Sequence, residues 1–269
     1  MVVKKTTQIC IKNVHKTYGN KSVLRGLDLD IIEGETLVIL GRSGAGKSVL
    51  LRLIMGLEDF DQGSITITPM SKNQAGNEKA RDLTPIKGML FQSGALFDSM
   101  TVAENIEFAL KSPLALRHLG KLSQASMQHI IEESLESVGL SGQEEVMPSS
   151  LSGGMKKRAG LARLIAIKPK IMLYDEPTTG LDPITAMQIN ELIVKLQKEL
   201  DATSIVVTHD LESALTIGDR FALHDAGQII YTDEKLRFIN SQHPTVGAFL
   251  ASRKKINEHY FINTDENKE

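Results

Sequence analysis

Tryptophan is absent from this chain, cysteine occurs once, and aromatic residues make up only 4% of its 269 positions. With Cys10 alone there is no intrachain disulfide and no cysteine metal cage, a composition that suits a reducing compartment, and the thiol is expected simply to pack. An excess of charge is missing too. Lys and Arg number 31 against 33 Asp and Glu, a formal net charge of −2, a balance that gives no reason to expect a nucleic-acid-binding surface, and no nucleic-acid partner is expected. Long apolar runs are also lacking. Val49 to Leu57 is broken by Arg52 and Gly56, and Leu161 to Ile167 by Arg163, well short of the roughly 20 residues that span a bilayer. Lys4 and Lys5 precede no apolar segment of secretory type, so export is not expected, and a membrane process would need another chain for its membrane part. What remains is an ordinary globular composition, 41% hydrophobic and 24% charged, enough for one large domain or two small ones.

Patterning along the chain is informative. Gln8 to Ile32 alternates β-rich pieces around the turn Tyr18-Gly19-Asn20-Lys21, and Gly63 to Thr68 reads as a further strand of the same antiparallel region. Pro69 to Ile86 is polar, carries two prolines and reads as a surface loop. Lys87 to Phe91 reads as a strand ending at Gln92, followed by helices over Val102 to Leu110 and Met127 to Val138. From Ser152 the spacing gives a helix to about Ile167, a strand Ile171 to Tyr174, a helix Pro183 to Leu200 and a strand Ser204 to Thr208. Strands and helices alternating at these lengths predict a mainly parallel sheet covered on both faces, an α/β architecture. Arg253 to Glu269 is polar and reads as a tail.

One stretch carries chemistry on its own. Gly41-Arg42-Ser43-Gly44-Ala45-Gly46-Lys47-Ser48 follows the apolar strand Glu35 to Leu40 and, with Val49, opens a helix. Its glycines let the backbone curl so that N–H groups and a helix N-terminus face an anion. Lys47 then reaches phosphates and Ser48 binds Mg²⁺. Ile171 to Asp175-Glu176 is an apolar strand ending in two acids, at the sheet edge where open α/β folds bind ligands. Asp175 suits the Mg²⁺ shell beside Ser48, and Glu176 suits orientation of a water attacking a γ-phosphate. His209 ends a second such strand and is expected to approach the γ-phosphate from the far side. His15, His118, His129, His224, His243 and His259 have no such context and read as structural or exposed.

Leu-Ser-Gly-Gly at 151 to 154 turns these pieces into a pattern, since Ser152, Gly153 and Gly154 open a helix and make a second anion site. From about Gln8 to Leu250 the chain resembles the nucleotide-binding subunit of an ATP-binding-cassette (ABC) transporter. The resemblance implies a P-loop NTPase fold: a mainly parallel core sheet, an N-terminal antiparallel β subdomain and an α-helical signature subdomain. It places the cassette at 8–250, the helical part at 93–165 and a tail at 251–269. It also implies that Tyr18 stacks on adenine, that Gln92 senses Mg²⁺ and the membrane subunit, and that Asp182 belongs to the site through the loop Gly180-Leu181-Asp182. Because the chain has one phosphate loop and one signature, the family pattern implies a head-to-tail homodimer, with Ser152 of one copy closing on the γ-phosphate held by Lys47 of the other. ATP and Mg²⁺ are the implied ligands, with Ser48, Gln92 and Asp175 around the metal.

The chain departs from many family members in having Met155 where they have Gln after the two glycines. Phe91-Gln-Ser-Gly-Ala-Leu-Phe97, Glu104-Asn105-Ile106 and the run from Leu151 to Arg163 are similar to the ATPase of Mla-type phospholipid transporters. That likeness implies a permease, an MCE-domain lipid-binding protein and a small STAS-type subunit as partners, at the cytoplasmic face of the inner membrane of a Gram-negative-type envelope. Two alternatives stand beside it: an importer ATPase for a small polar solute such as an amino acid, and a soluble ABC protein without transport function.

Overall fold

A computed structural model describes residues 6–42, 44–69 and 84–251. Ser43, most of the polar stretch expected between Pro69 and Ile86, and the tail from Ser252 onward lie outside the described residues. Two sheets organise the rest. Strands β1 (Thr7–Tyr18), β2 (Lys21–Ile32) and β4 (Gln62–Ile67) form an antiparallel sheet in the order β2-β1-β4. Strands β3 (Thr36–Gly41), β5 (Lys87–Leu90), β6 (Ile171–Asp175), β7 (Thr203–Thr208), β8 (Arg220–Asp225) and β9 (Gln228–Glu234) form the core sheet. Its order is β5-β6-β7-β3-β8-β9, parallel except for β9, which returns antiparallel along β8.

The central strands β3, β6 and β7 are buried at every position, as strands covered on both faces must be. Alternate residues therefore serve two different cores. Leu37, Ile39, Leu173, Ile205 and Val207 point toward the antiparallel sheet and helix α1 (Lys47–Met55). Val38, Leu40, Met172, Tyr174 and Val206 face the opposite way, into a larger cluster. That cluster is walled by α2 (Val102–Leu110), α3 (Pro113–Leu119), α4 (Gln124–Ser137), α5 (Gly153–Ala166), α6 (Pro183–Leu200) and α7 (Leu211–Ile217). A half-buried ion pair fastens the two sheets, because Arg220 on β8 grips both oxygens of Glu35 and also donates to the Asp30 carbonyl on β2. No helix among the described residues is long and apolar enough to cross a membrane.

The expected elements from residue 8 to residue 208 are present with shifts of a few residues at their ends; the helix expected from Met127 begins at Gln124, capped by Ser123. The short α3, whose first turn is capped by Ser112 and entered through Pro113, has too few residues to show a period. Beyond His209 the structure adds α7, the β8–β9 hairpin and α8 (Lys235–Ile239). The hairpin turns at Ala226-Gly227, both with positive φ (46° and 86°), the backbone that matches strand twist in two-residue loops.

His224 has a place that sequence spacing does not reveal. It is 1% exposed, and neither ring nitrogen has a hydrogen-bond partner. Burial, reinforced by the positive charge of Lys47, pushes its pKa down to about 4. The folded protein therefore holds it neutral, while the unfolded chain takes up a proton as pH falls through about 6.5, so stability is lost between that value and about 4. The expected loss from this group is about 2 kcal/mol by pH 5. Thermal unfolding followed from pH 7 to 4.5 should show a smaller drop in Tm for His224→Met than for the parent chain; parallel curves would refute the assignment.

Candidate functional site

The site begins where β3 ends. Gly41 pairs with His224 across the β3–β8 ladder, and a Cβ on Gly41 would lie 2.5 Å from the His224 carbonyl oxygen. Only glycine tolerates that approach. After Arg42 the chain climbs through Gly44 (φ 73°), Ala45 and Gly46 (φ 106°) into α1. Gly46 occupies the N-cap and offers no side-chain cap, so the first amides of α1 remain donors for an anion. A Cβ on Gly46 would sit 2.7 Å from Val23 Cγ1, which shows that β2 presses on the loop from outside.

Charges converge at this edge because β3, β6 and β7 are paired in register: Leu40 lies beside Thr208, and Asp175 beside Val207. Lys47 is 4% exposed; its Nζ donates to the carbonyls of Gly41 and Arg42, both at 2.9 Å, and stands 4.0 Å from Glu176 Oε1. Ser48 Oγ donates to Asp175 Oδ1 at 2.7 Å. Burial holds the Asp175 carboxyl above the usual carboxylate range, only partly offset by the Ser48 hydroxyl. Glu176 leaves the sheet with φ 47°, a backbone that non-glycine residues rarely adopt and that clusters at functional sites.

Three side chains hold the Glu176 carboxylate. His209 Nδ1 lies 2.9 Å from both oxygens, while the hydroxyls of Thr179 and Thr208 donate to Oε2 at 3.2 Å. His209, expected from its strand-end position to approach a γ-phosphate, lies at the same sheet edge with its ring against the Glu176 carboxylate. Tyr18 stands at the rim with 42% of its surface exposed. Its hydroxyl donates to Glu58, which also binds Arg52 of α1, and Lys16 Nζ is 5.2 Å from the ring centroid.

A cleft of about 410 Å³ joins Tyr18, Gly44, Gly46, Lys47, Ser48, Val49, Gln92, Glu176 and His209. Asp175 is seated just behind it through Ser48. A larger cleft of about 910 Å³ lies at the opposite ends of the strands, around Thr36 and Arg220, where Arg220 is already paired with Glu35. Ser152, Gly153, Gly154 and Asp182 do not line the nucleotide-sized cleft. Ser152 caps α5 by accepting from Met155 N at 3.2 Å, and Asp182 caps α6 by accepting from Thr185 N at 3.0 Å. These two helix ends touch, since a Cβ on Gly154 would fall 2.5 Å from Thr185 Cγ2. Ser152, Gly153 and Asp182 are exposed.

A phosphate-cradling loop, paired acids and histidine at one sheet edge, and a separate capped signature helix coincide with a family match. Residues 24–179 match the model described as ABC transporter. The chain belongs to the ABC transporter family. It is an ATPase cassette of that family, similar at 35% identity to the probable ribonucleotide transport ATP-binding protein mkl of Mycobacterium leprae, over 91% of this chain and 69% of that protein. It is also similar at 39% identity to the methionine import ATP-binding protein MetN of Clostridium tetani, over 81% of this chain and 67% of that one. The chain thus spans about two thirds of the length of such relatives. Among solved structures, the cassette MJ0796, dimeric in a post-hydrolysis state with ADP and Pi, superposes with a TM-score of 0.70 at 31% identity, covering 84% of this chain and 98% of that one.

Several partners in the cassette site carry no motif of their own: Thr179 and Thr208 behind Glu176, Glu58 and Arg52 behind Tyr18, and Lys157 of α5. For Lys157 a signal exists, because it shares the apolar face of α5 with Gly154, Leu161 and Leu164, all buried. A cation on such a face needs an electrostatic reason.

Gly46→Ala tests the loop geometry without reference to any ligand. Given its φ of 106° and the contact with Val23, this substitution should destabilise the cassette by about 1–3 kcal/mol, read as a lower urea midpoint. An unchanged midpoint would show that the loop relaxes freely.

Proposed function

We propose that the chain is the ATP-binding and ATP-hydrolysing subunit of a transporter, working as a head-to-tail homodimer beneath a separate membrane permease. The observation that carries this reading is the division of the site: the phosphate loop and Glu176 share one cleft, with Asp175 behind it on Ser48, while the signature end of α5 is exposed and lies outside that cleft. Each half satisfies part of a nucleotide's charge, and two-fold pairing brings both halves together twice. Exposed Ile184 and Met187 beside Asp182 give that contact an apolar component. The dimeric state of the MJ0796 cassette with ADP and Pi supports a dimeric cassette.

In the mechanism, Lys47 exchanges the carbonyls of Gly41 and Arg42 for phosphate oxygens, and the amides of the loop and of α1 bind the remaining negative charge. The adjoining hydroxyl of Ser48 and carboxylate of Asp175 form a hard oxygen pair that fits Mg²⁺, with Gln92 alongside. Bound there, the ion would neutralise phosphate charge. Glu176, oriented by His209, Thr179 and Thr208, accepts a hydrogen bond from the attacking water and positions it in line. Tyr18, tethered through Glu58 to α1, presents its ring to adenine. Ser152 to Gly154 of the second copy completes the anion site from the other side.

The cassette proper runs over 8–250, with the helical part at 93–165 as the face toward the permease. There Phe97 and Phe108 are exposed and stack edge to face, their ring centroids 4.9 Å apart. Asn105 shapes the loop that displays them through hydrogen bonds to Phe97, Met100 and Thr101. Such an aromatic patch suits a helix of a membrane subunit, at the cytoplasmic face of the membrane.

For cargo, the likeness of the segments around Gln92 and the signature to Mla-type ATPases supports phospholipid transport with MCE-domain and STAS-type partners. The relatives named for import of methionine and, in Agrobacterium fabrum, of sn-glycerol-3-phosphate favour a second reading, an importer of a small polar solute. Co-purification of the tagged chain from its membranes decides between them: an MCE-domain protein in the complex supports lipid, and a solute-binding protein supports the importer. For the hydrolytic step, Glu176→Gln should bind ATP with normal affinity, lose at least about 100-fold in turnover and accumulate as a closed dimer in gel filtration with ATP. Turnover at the parent rate would overturn the role given to Glu176.

A further inference from the structure

We infer that Lys157 is a positioning residue that makes the hydrolytic geometry of Glu176 depend on where the signature helix lies. Lys157 is 4% exposed on α5. Its ammonium donates to two backbone carbonyls from neighbouring strand ends, that of Gln92 beyond β5 and that of Glu176 beyond β6, the latter at 3.4 Å. The Glu176 amide still belongs to the sheet, donating to Val207 O at 2.9 Å. Its positive φ then carries the chain away, with the carbonyl on the α5 side and the carboxylate on His209. A donor on that carbonyl therefore holds the one strained peptide that aims the acid.

Burial of the ammonium is costly, and the charges of Asp175 and Glu176 only partly offset it. Packing alone would be served as well by methionine or leucine at this position, so the cation's role lies in the carbonyls it binds. The rest of α5 grips the same turn: Arg163 donates to the carbonyls of Gly94 at 3.1 Å and Ala95 at 2.6 Å, and Gly160 admits the Gly94 backbone. Of these contacts only that of Lys157 extends to the acid. Ser152 begins the same helix five residues earlier, about 7.5 Å along a rigid rod. When a nucleotide draws the signature end, Lys157 moves with it and carries Gln92 and Glu176 along.

This inference rests on the reading of Glu176 as the residue that orients water, and the experiment separates the two. Turnover, ATP affinity and thermal unfolding are measured on the complex that the tagged full-length chain brings out of membranes, for Lys157→Met, Lys157→Arg and Glu176→Gln. Lys157→Met should lower kcat by at least about tenfold, as a misaimed group does, with ATP affinity within about twofold, and Lys157→Arg should restore most of the rate. Parent-like kcat in Lys157→Met with an inactive Glu176→Gln overturns the inference and leaves the Glu176 reading standing, whereas an active Glu176→Gln overturns that reading itself. Equal losses of rate and affinity, in Lys157→Met or in Lys157→Gln should the methionine variant not fold, indicate plain scaffolding and also overturn it.

Discussion

The register of three parallel strands is the constraint on which the rest of the cassette depends. Because β6, β7 and β3 are hydrogen-bonded side by side with Asp175 level with Val207 and Thr208 level with Leu40, groups far apart in sequence finish at one height. A ladder of buried backbone hydrogen bonds cannot slip by one residue without turning every side chain to the opposite core. The two cores are both apolar, but their shapes differ: one is closed by the antiparallel sheet and α1, the other by the signature helices. Shape as well as hydrophobicity therefore holds the register, and the register holds the site.

At that edge the electrostatics are arranged in pairs that can be exchanged. Lys47 is satisfied by carbonyls of its own loop, Ser48 by Asp175, and Glu176 by His209. Each of these groups is buried or half-buried, so leaving it unpaired would be costly. In the proposed mechanism a ligand bearing phosphates would take the place of the loop carbonyls around Lys47. The site's charged groups are thus each paired within the protein itself. His224, sealed beneath Gly41 with neither ring nitrogen hydrogen-bonded, shows the opposite case, a titratable group kept neutral by its surroundings.

Much of the cassette is legible in sequence, and the reasons differ by element. The phosphate loop is legible because glycine, lysine and serine at fixed offsets follow from local backbone geometry. The fully apolar strands ending in Asp175-Glu176 and in Thr208-His209 are legible because a change from apolar to charged within one residue marks a sheet edge. The region beyond His209 is not: α7 and α8 are too short for a period, and β8 and β9 are defined by pairing with each other and with β3. Likewise the orientation of His209 toward Glu176, and the threonines that flank it, depend on side chains from different strands meeting in space.

The cassette family, the phosphate loop, the strand-end acids and the signature are each written in residue types whose chemistry acts over a few positions. Packing of distant segments sets where these parts lie relative to one another. It put the loop and Glu176 in one cleft, Asp175 just behind and the signature outside it, because α5 and α6 pack their capped ends against each other, Gly154 on Thr185. It also drew Lys157 under the strand ends. Long-range packing and buried charge set these relations, and neither has a local signature that spacing can reveal.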